Sequence, residues 1–328
     1  VNHSSPQSGP QADPRSSSSA GLPDASEPAQ LAAVPASEEV RRTERAGGSR
    51  ARLTSVGLVI GGIVSLQFGS SVAVLLFPRA GALGVVTLRL VVAALVLLVA
   101  CRPKLRGYSR GDWATVVGFG IALAGMNSLF YQAIDRIPLG AAVTLEFLGP
   151  LVLSIVTSRR ALSLVWAALA LGGVALLGRE GFDGLNAAGA GFALAAGALW
   201  AAYILLSARA GQRFPQADGL ALAMTVAAVL SLPLGVASAG SALIDPVTLG
   251  LGAAVALMSS VLPYTLELLA LRRLPASGFA VMMSLEPAAA ATAGFLVLHQ
   301  ALGWAEIAAI AMVVLASVGA VRSAGSAH

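Results

Sequence analysis

Glu146, Glu267 and Glu286 are lone carboxylates inside a chain that otherwise reads as one lipid-soluble stretch after another. A carboxylate at membrane depth is costly, and it persists where it faces a cavity, pairs with a cation or holds a proton. Glu146 lies in Thr144-Leu145-Glu146-Phe147-Leu148-Gly149-Pro150 and reads as mid-helix, with nothing nearby in sequence to neutralise it. It either bonds a neighbouring helix or serves as a site carboxylate for a proton or a substrate ammonium. Glu286 precedes Pro287. The proline removes a backbone donor and frees a carbonyl one turn back, so carboxylate and carbonyl together could cradle a cation; the alternative is a kink with a glutamate facing a gap. Glu267 follows Pro263-Tyr264 and stands nearer a helix end, toward Arg272 and Arg273, where local charge pairing competes with a site role. Arg89, in Thr87-Leu88-Arg89-Leu90, either snorkels to the interface or pairs with a glutamate or a substrate carboxylate. Gln67, Asn127, Tyr131, Gln132, Tyr203 and Tyr264 complete the polar set. Asn127 and Tyr131 are four apart and share a helix face; for each of the six, interhelical hydrogen bonding is the competing reading.

The elements that carry these residues follow from composition. The chain has 328 residues, 56% hydrophobic and 11% charged, where soluble domains carry about 25% charged residues. Its mean hydropathy is +0.80. From Leu53 onward ten apolar segments recur, at about 53–76, 82–100, 113–134, 139–157, 161–178, 187–207, 217–238, 247–271, 276–298 and 302–321. They lack the alternation of barrel strands and are too long for them, so the expected class is an all-α integral membrane protein with ten transmembrane helices. Residues 1–50 are rich in Ser, Pro, Ala and acidic residues, and read as a disordered cytoplasmic tail without the apolar core of a signal peptide. Val1 reads as an alternative start codon, which would put the true start further downstream.

With the N-terminus placed inside, one set of loops collects 17 Lys and Arg residues and the other only Arg79, Arg136 and Arg179. This asymmetry predicts both termini in the cytoplasm. The basic residues sit in short loops, which argues against nucleic-acid binding. The two halves also resemble each other: Ala133-Ile134-Asp135-Arg136-Ile137-Pro138 matches Ala270-Leu271-Arg272-Arg273-Leu274-Pro275, and Pro150 matches Pro287 at the same offset. Five helices per copy invert the second, as in many secondary transporters. The expected repeats are 53–178 and 187–321.

No phosphate-binding loop of the Gly-x-x-x-x-Gly-Lys type occurs. No nucleophile-and-base pair emerges, Cys101 is the single cysteine, and three scattered histidines offer no metal site. The expectation is therefore a non-enzyme without cofactor or metal.

Several dispersed motifs carry a resemblance. They are Leu76-Phe77-Pro78 with Gly81, Gly84 and Leu88-Arg89-Leu90; Gly125-Met126-Asn127 with Leu129-Phe130-Tyr131; Pro138-Leu139-Gly140; Leu145-Glu146-Phe147; Gly149-Pro150; Ser158-Arg159-Arg160; Leu262-Pro263-Tyr264; Leu266-Glu267; and Met283-Ser284-Leu285-Glu286-Pro287-Ala288. Over residues 53–321 the chain resembles the threonine/homoserine exporter family of the drug/metabolite transporter superfamily, with two EamA-type repeats. The resemblance implies an inner-membrane exporter of small amino acids, driven by proton exchange and alternating access. A zwitterion needs a carboxylate for its ammonium and a cation for its carboxylate; Glu146, Glu286 and Arg89 supply such groups. The long tail and His299-Gln300, where related sequences often carry Gly-Glu, depart from the family pattern. Two other readings stay open: export of drugs or other metabolites, and a membrane scaffold or sensor that transports nothing.

Overall fold

In hydrocarbon an apolar run has no water to satisfy its amides, and a helix satisfies them within one segment. The computed structural model describes residues 36–158, 161–181, 186–215, 217–271 and 281–325; among these, every regular element is helical. The chain falls into two units, Val1–Gly47 and Gly48–His328. In the first, the described residues, from Ala36, are helical, and the rest of the expected tail lies outside the described residues.

The order is α1 (Ala36–Cys101), α2 (Arg110–Ile134), α3 (Leu139–Glu146), α4 (Leu148–Ser158), α5 (Ala161–Gly181), α6 (Ala187–Arg213), α7 (Asp218–Ala239), α8 (Pro246–Ala256), a π turn (Leu257–Val261), α9 (Leu262–Leu271), α10 (Glu286–Leu298) and α11 (Trp304–Gly325). Among the described residues seven stretches are long and apolar enough to span a bilayer: Val56–Cys101, Arg110–Ile134, Leu139–Thr157, Ala187–Arg213, Asp218–Ile244, Pro246–Glu267 and Val281–Leu298. Leu164–Leu176 and Trp304–Gly319 are apolar but shorter.

Polar residues set the ends. Ser109 and Asp112 form a reciprocal capping box at α2, and Asn186 caps α6 through its Oδ1, each satisfying amides that the first turn leaves open. Inside the bundle the regularity breaks where the sequence forces it. Within α1, Gly81 has φ 64° and ψ 164°, a conformation that suits glycine alone, and the chain changes direction there. The expected gap at 77–81 is thus a one-residue break. Phe147 separates α3 from α4, so Glu146 stands at a helix end and not mid-helix; Pro150 lacks the N–H that would have bonded the Glu146 carbonyl. A turn at Ser284–Leu285 likewise precedes α10, with Pro287 in its first turn.

α2 packs on α6 and α7, α5 on α11, and α3 on α6 and α10. Glycine brings α4 and α6 together backbone to backbone: a Cβ on Gly149 would overlap the Gly197 carbonyl, and one on Gly197 would overlap the Glu146 carbonyl. The α3–α10 seam is similarly close, because a Cβ on Gly140 would lie 2.8 Å from the Ala291 Cβ. α3 begins at Pro138 without a cap of its own. Gln300 supplies one from across the seam: its Oε1 accepts from the Leu139 N–H at 3.0 Å.

Candidate functional site

The π turn Leu257–Val261 leads directly into α9, whose second residue is Pro263. Pro263 has no N–H to give to Ser259 O, its α-register acceptor, or to Met258 O, its π-register acceptor. Both carbonyls are met from elsewhere. Ser65 Oγ on α1 donates to Met258 O at 2.6 Å, and Arg89 Nη2 donates to Ser259 O at 3.0 Å. Arg89 Nε donates to Ser260 Oγ at 2.8 Å, and Nη1 donates to the Tyr131 hydroxyl at 3.2 Å. The guanidinium therefore sits 5% exposed, held by one turn and by α2. It neither snorkels nor forms an ion pair with a carboxylate of the described residues within 4 Å. Three of its five N–H groups are engaged in these bonds, and the Tyr264 hydroxyl lies beside the same guanidinium.

Arg89 lines a cavity of about 750 Å³, and with it stand Gln67, Asn127, Glu146, Tyr264, Glu267 and Glu286. Seven of the eight residues expected from the sequence thus meet at one place. Tyr131, the eighth, is fully buried and reaches the site through Arg89. Glu286 lies within electrostatic range of Glu267 and Glu146, and Glu146 of Arg89. Glu286 is 3% exposed and its Oε1 has no hydrogen-bond partner among the described residues; the same holds for Gln67 Oε1, with Gln67 2% exposed. Such acceptors are costly to bury unsatisfied. Asn127 turns its amide back onto its own helix, bonding Leu123 O at 2.8 Å. Arg272 and Arg273, the expected neighbours of Glu267, lie outside the described residues. Gln132 belongs elsewhere, accepting from Arg136 at 2.7 Å.

The sequence reading missed the rest of the wall. Phe130, Phe147 and Trp200 line it, with Ser154, Ser207 and Ser317 among the polar positions; Tyr203, named there only among polar aromatics, joins them. A serine or tryptophan in an apolar run carries no sign of which face it occupies. The one available signal was spacing: Trp200, Tyr203, Ile204 and Ser207 follow a helical period on α6. Lining positions run from Glu146, at the end of α3, down α4 to Ser154, and down α6 from Trp200 to Ala208, toward the C-terminal ends of α4 and α6. At the opposite end, Leu139, Ala142, Ala290 and Ala293 are fully buried around the Gly140–Ala291 seam, and the cavity does not reach it.

Residues 187–322 match the model of the EamA-like transporter family. The chain is 41% identical over 257 residues to the threonine/homoserine exporter RhtA of Salmonella typhimurium strain LT2, spanning 78% of this chain and 87% of that protein. It is 40% identical over 259 residues to RhtA of Escherichia coli K12, spanning 78% and 88%. A solved crystal structure superposes with a TM-score of 0.54 at 20% identity, covering 82% of this chain and 98% of the other, a likeness of fold. Identity of this extent with curated exporters, in a bundle of membrane-length helices around a charged cavity, assigns the chain to the EamA-like transporter family.

Proposed function

We propose that the protein is an inner-membrane exporter of small hydroxy-amino acids such as threonine and homoserine, exchanging them for protons by alternating access. The observation that carries this is the charge complement of the cavity: one guanidinium and three carboxylates line the same space. A zwitterion needs both. Arg89 takes the carboxylate as a two-pronged donor, and Glu286 and Glu146 take the ammonium or, alternately, a proton. Proton entry from outside weakens the hold on the ammonium and releases the amino acid there.

Ten crossings in two inverted repeats, 53–178 and 187–321, fit this reading. The break at Gly81 divides the 46-residue first span, and the two shorter apolar helices complete the count. Arginine asymmetry supports cytoplasmic termini. On that orientation the cavity descends toward the cytoplasm while the α3–α10 seam closes the outer end, as an inward-loading state requires.

A second reading draws on the wall itself. A space of about 750 Å³ lined by Phe130, Phe147, Trp200, Tyr203 and Tyr264 also falls in the size range of drug-binding pockets, so larger organic metabolites remain the rival cargo. Inverted vesicles containing the protein, given labelled threonine or homoserine and an acidic lumen, separate the two. The amino-acid reading predicts uncoupler-sensitive uptake above empty vesicles, abolished in Glu146→Gln while the protein still accumulates. Uptake of cationic dyes without amino-acid uptake, or normal pH dependence in Glu146→Gln, would refute it.

A further inference from the structure

We infer that Gln67 reads the hydroxyl group of the substrate and so sets the preference for hydroxylated over purely aliphatic amino acids. The inference rests on the reading of the cavity as an amino-acid site and assigns a third recognition group within it. Ser65 and Gly69 fix the rotation of α1: Ser65 Oγ is bonded to Met258 O, and a Cβ on Gly69 would lie 2.9 Å from the Ser259 backbone nitrogen. The adjoining face of α1, carrying Leu66, Gln67 and Ser70, is thereby turned to the cavity. On that face the serine hydroxyl has already given its proton: Ser70 Oγ donates to Leu66 O at 2.9 Å. Gln67 is different. Its side chain lines the cavity, and its Oε1 is buried with no partner among the described residues.

A neutral amide is a poor choice for an ammonium when three carboxylates share the space, and it has no charge to offer a carboxylate. It suits a neutral group that can donate or accept. A hydroxyl does both, so it satisfies Gln67 whichever way the amide is turned. A methyl group in its place leaves the buried acceptor unsatisfied, the situation in which sites discriminate strongly. Because the π turn that packs on α1 also holds Arg89, the separation between hydroxyl reader and carboxylate clamp is fixed by one element.

The test uses threonine and valine, which differ by hydroxyl against methyl, as unlabelled competitors of labelled threonine uptake in inverted vesicles. Wild type is expected to favour threonine by at least about tenfold. Gln67→Met, similar in length and without the amide, is expected to bring that ratio to within about threefold, mainly through weaker threonine competition, while valine competition is retained. Gln67→Asn draws the amide back by one methylene and is expected to shift preference from threonine toward the longer homoserine. A Met variant that accumulates and keeps the wild-type ratio overturns the inference. If the Met variant fails to accumulate, an Asn variant with unchanged homoserine-to-threonine preference overturns it instead. Absence of threonine uptake by wild type is a separate result: it removes the amino-acid reading itself.

Discussion

Arg89→Lys keeps the charge and removes the fork, so it separates a coulombic role from a geometric one. In the structure three different nitrogens of Arg89 make three bonds, at 2.8, 3.2 and 3.0 Å, to Ser260, Tyr131 and Ser259. A single ammonium offers its N–H groups from one point and cannot reach all three while also holding a carboxylate. Loss of one charge-assisted bond to the substrate is worth about 1.5–3 kcal/mol, or about a tenfold to hundredfold rise in KM for threonine. The assay is the concentration dependence of threonine uptake in inverted vesicles, with threoninamide as a competitor that lacks the carboxylate. The variant is expected to raise the threonine KM by that factor and to leave threoninamide competition within about threefold, since an amide gains little from a two-pronged cation. A threonine KM within twofold of wild type would show that the guanidinium geometry is not used.

Three further expectations test the supports of the site. Gly149→Ala puts a methyl group into the Gly197 carbonyl, where backbone meets backbone; it should cost about 1–3 kcal/mol, read as a lower melting temperature of the purified protein. Pro263→Ala returns an N–H that competes with Arg89 and Ser65 for the two carbonyls they hold; the threonine KM should rise by about threefold to tenfold. Asp245, between two spans, accepts from the Thr248 N–H and hydroxyl at 2.9 Å, and these bonds, with Arg79 nearby, hold its carboxyl below the usual range. Its stabilisation is therefore complete above the unfolded value of about 3.9 and is lost as pH falls through the lower folded value. Asp245→Ala should lower the melting temperature at neutral pH, with the gap closing in strong acid.

How much of this was legible in the sequence depended on the cost of each residue. A glutamate or arginine in an apolar run is expensive enough to announce itself, and Glu146, Glu267, Glu286 and Arg89 do line one cavity. Gln67 was legible as a buried amide, yet its missing partner is a three-dimensional fact. The partners of Arg89 were not legible. Neither Ser259 nor Ser260 stands out among the serines of the chain, and their role follows from Pro263 through a register shift that propensity does not foresee. The break at Phe147 escaped because Gly149 and Pro150 follow a run that reads as continuous helix; the proline acts one turn upstream, on the Glu146 carbonyl. Helix existence was easy, since length and hydropathy decide it, whereas helix direction at Gly81 depends on a backbone angle.

The most direct test of proton exchange reads the proton and not the amino acid. Inverted vesicles with equal pH on both sides and a trapped pH indicator receive a sudden excess of external threonine. The account predicts that the lumen becomes alkaline as threonine enters and protons leave, in wild type but not in Glu146→Gln or in empty vesicles. Threonine entry at the wild-type rate with no change in luminal pH would contradict it.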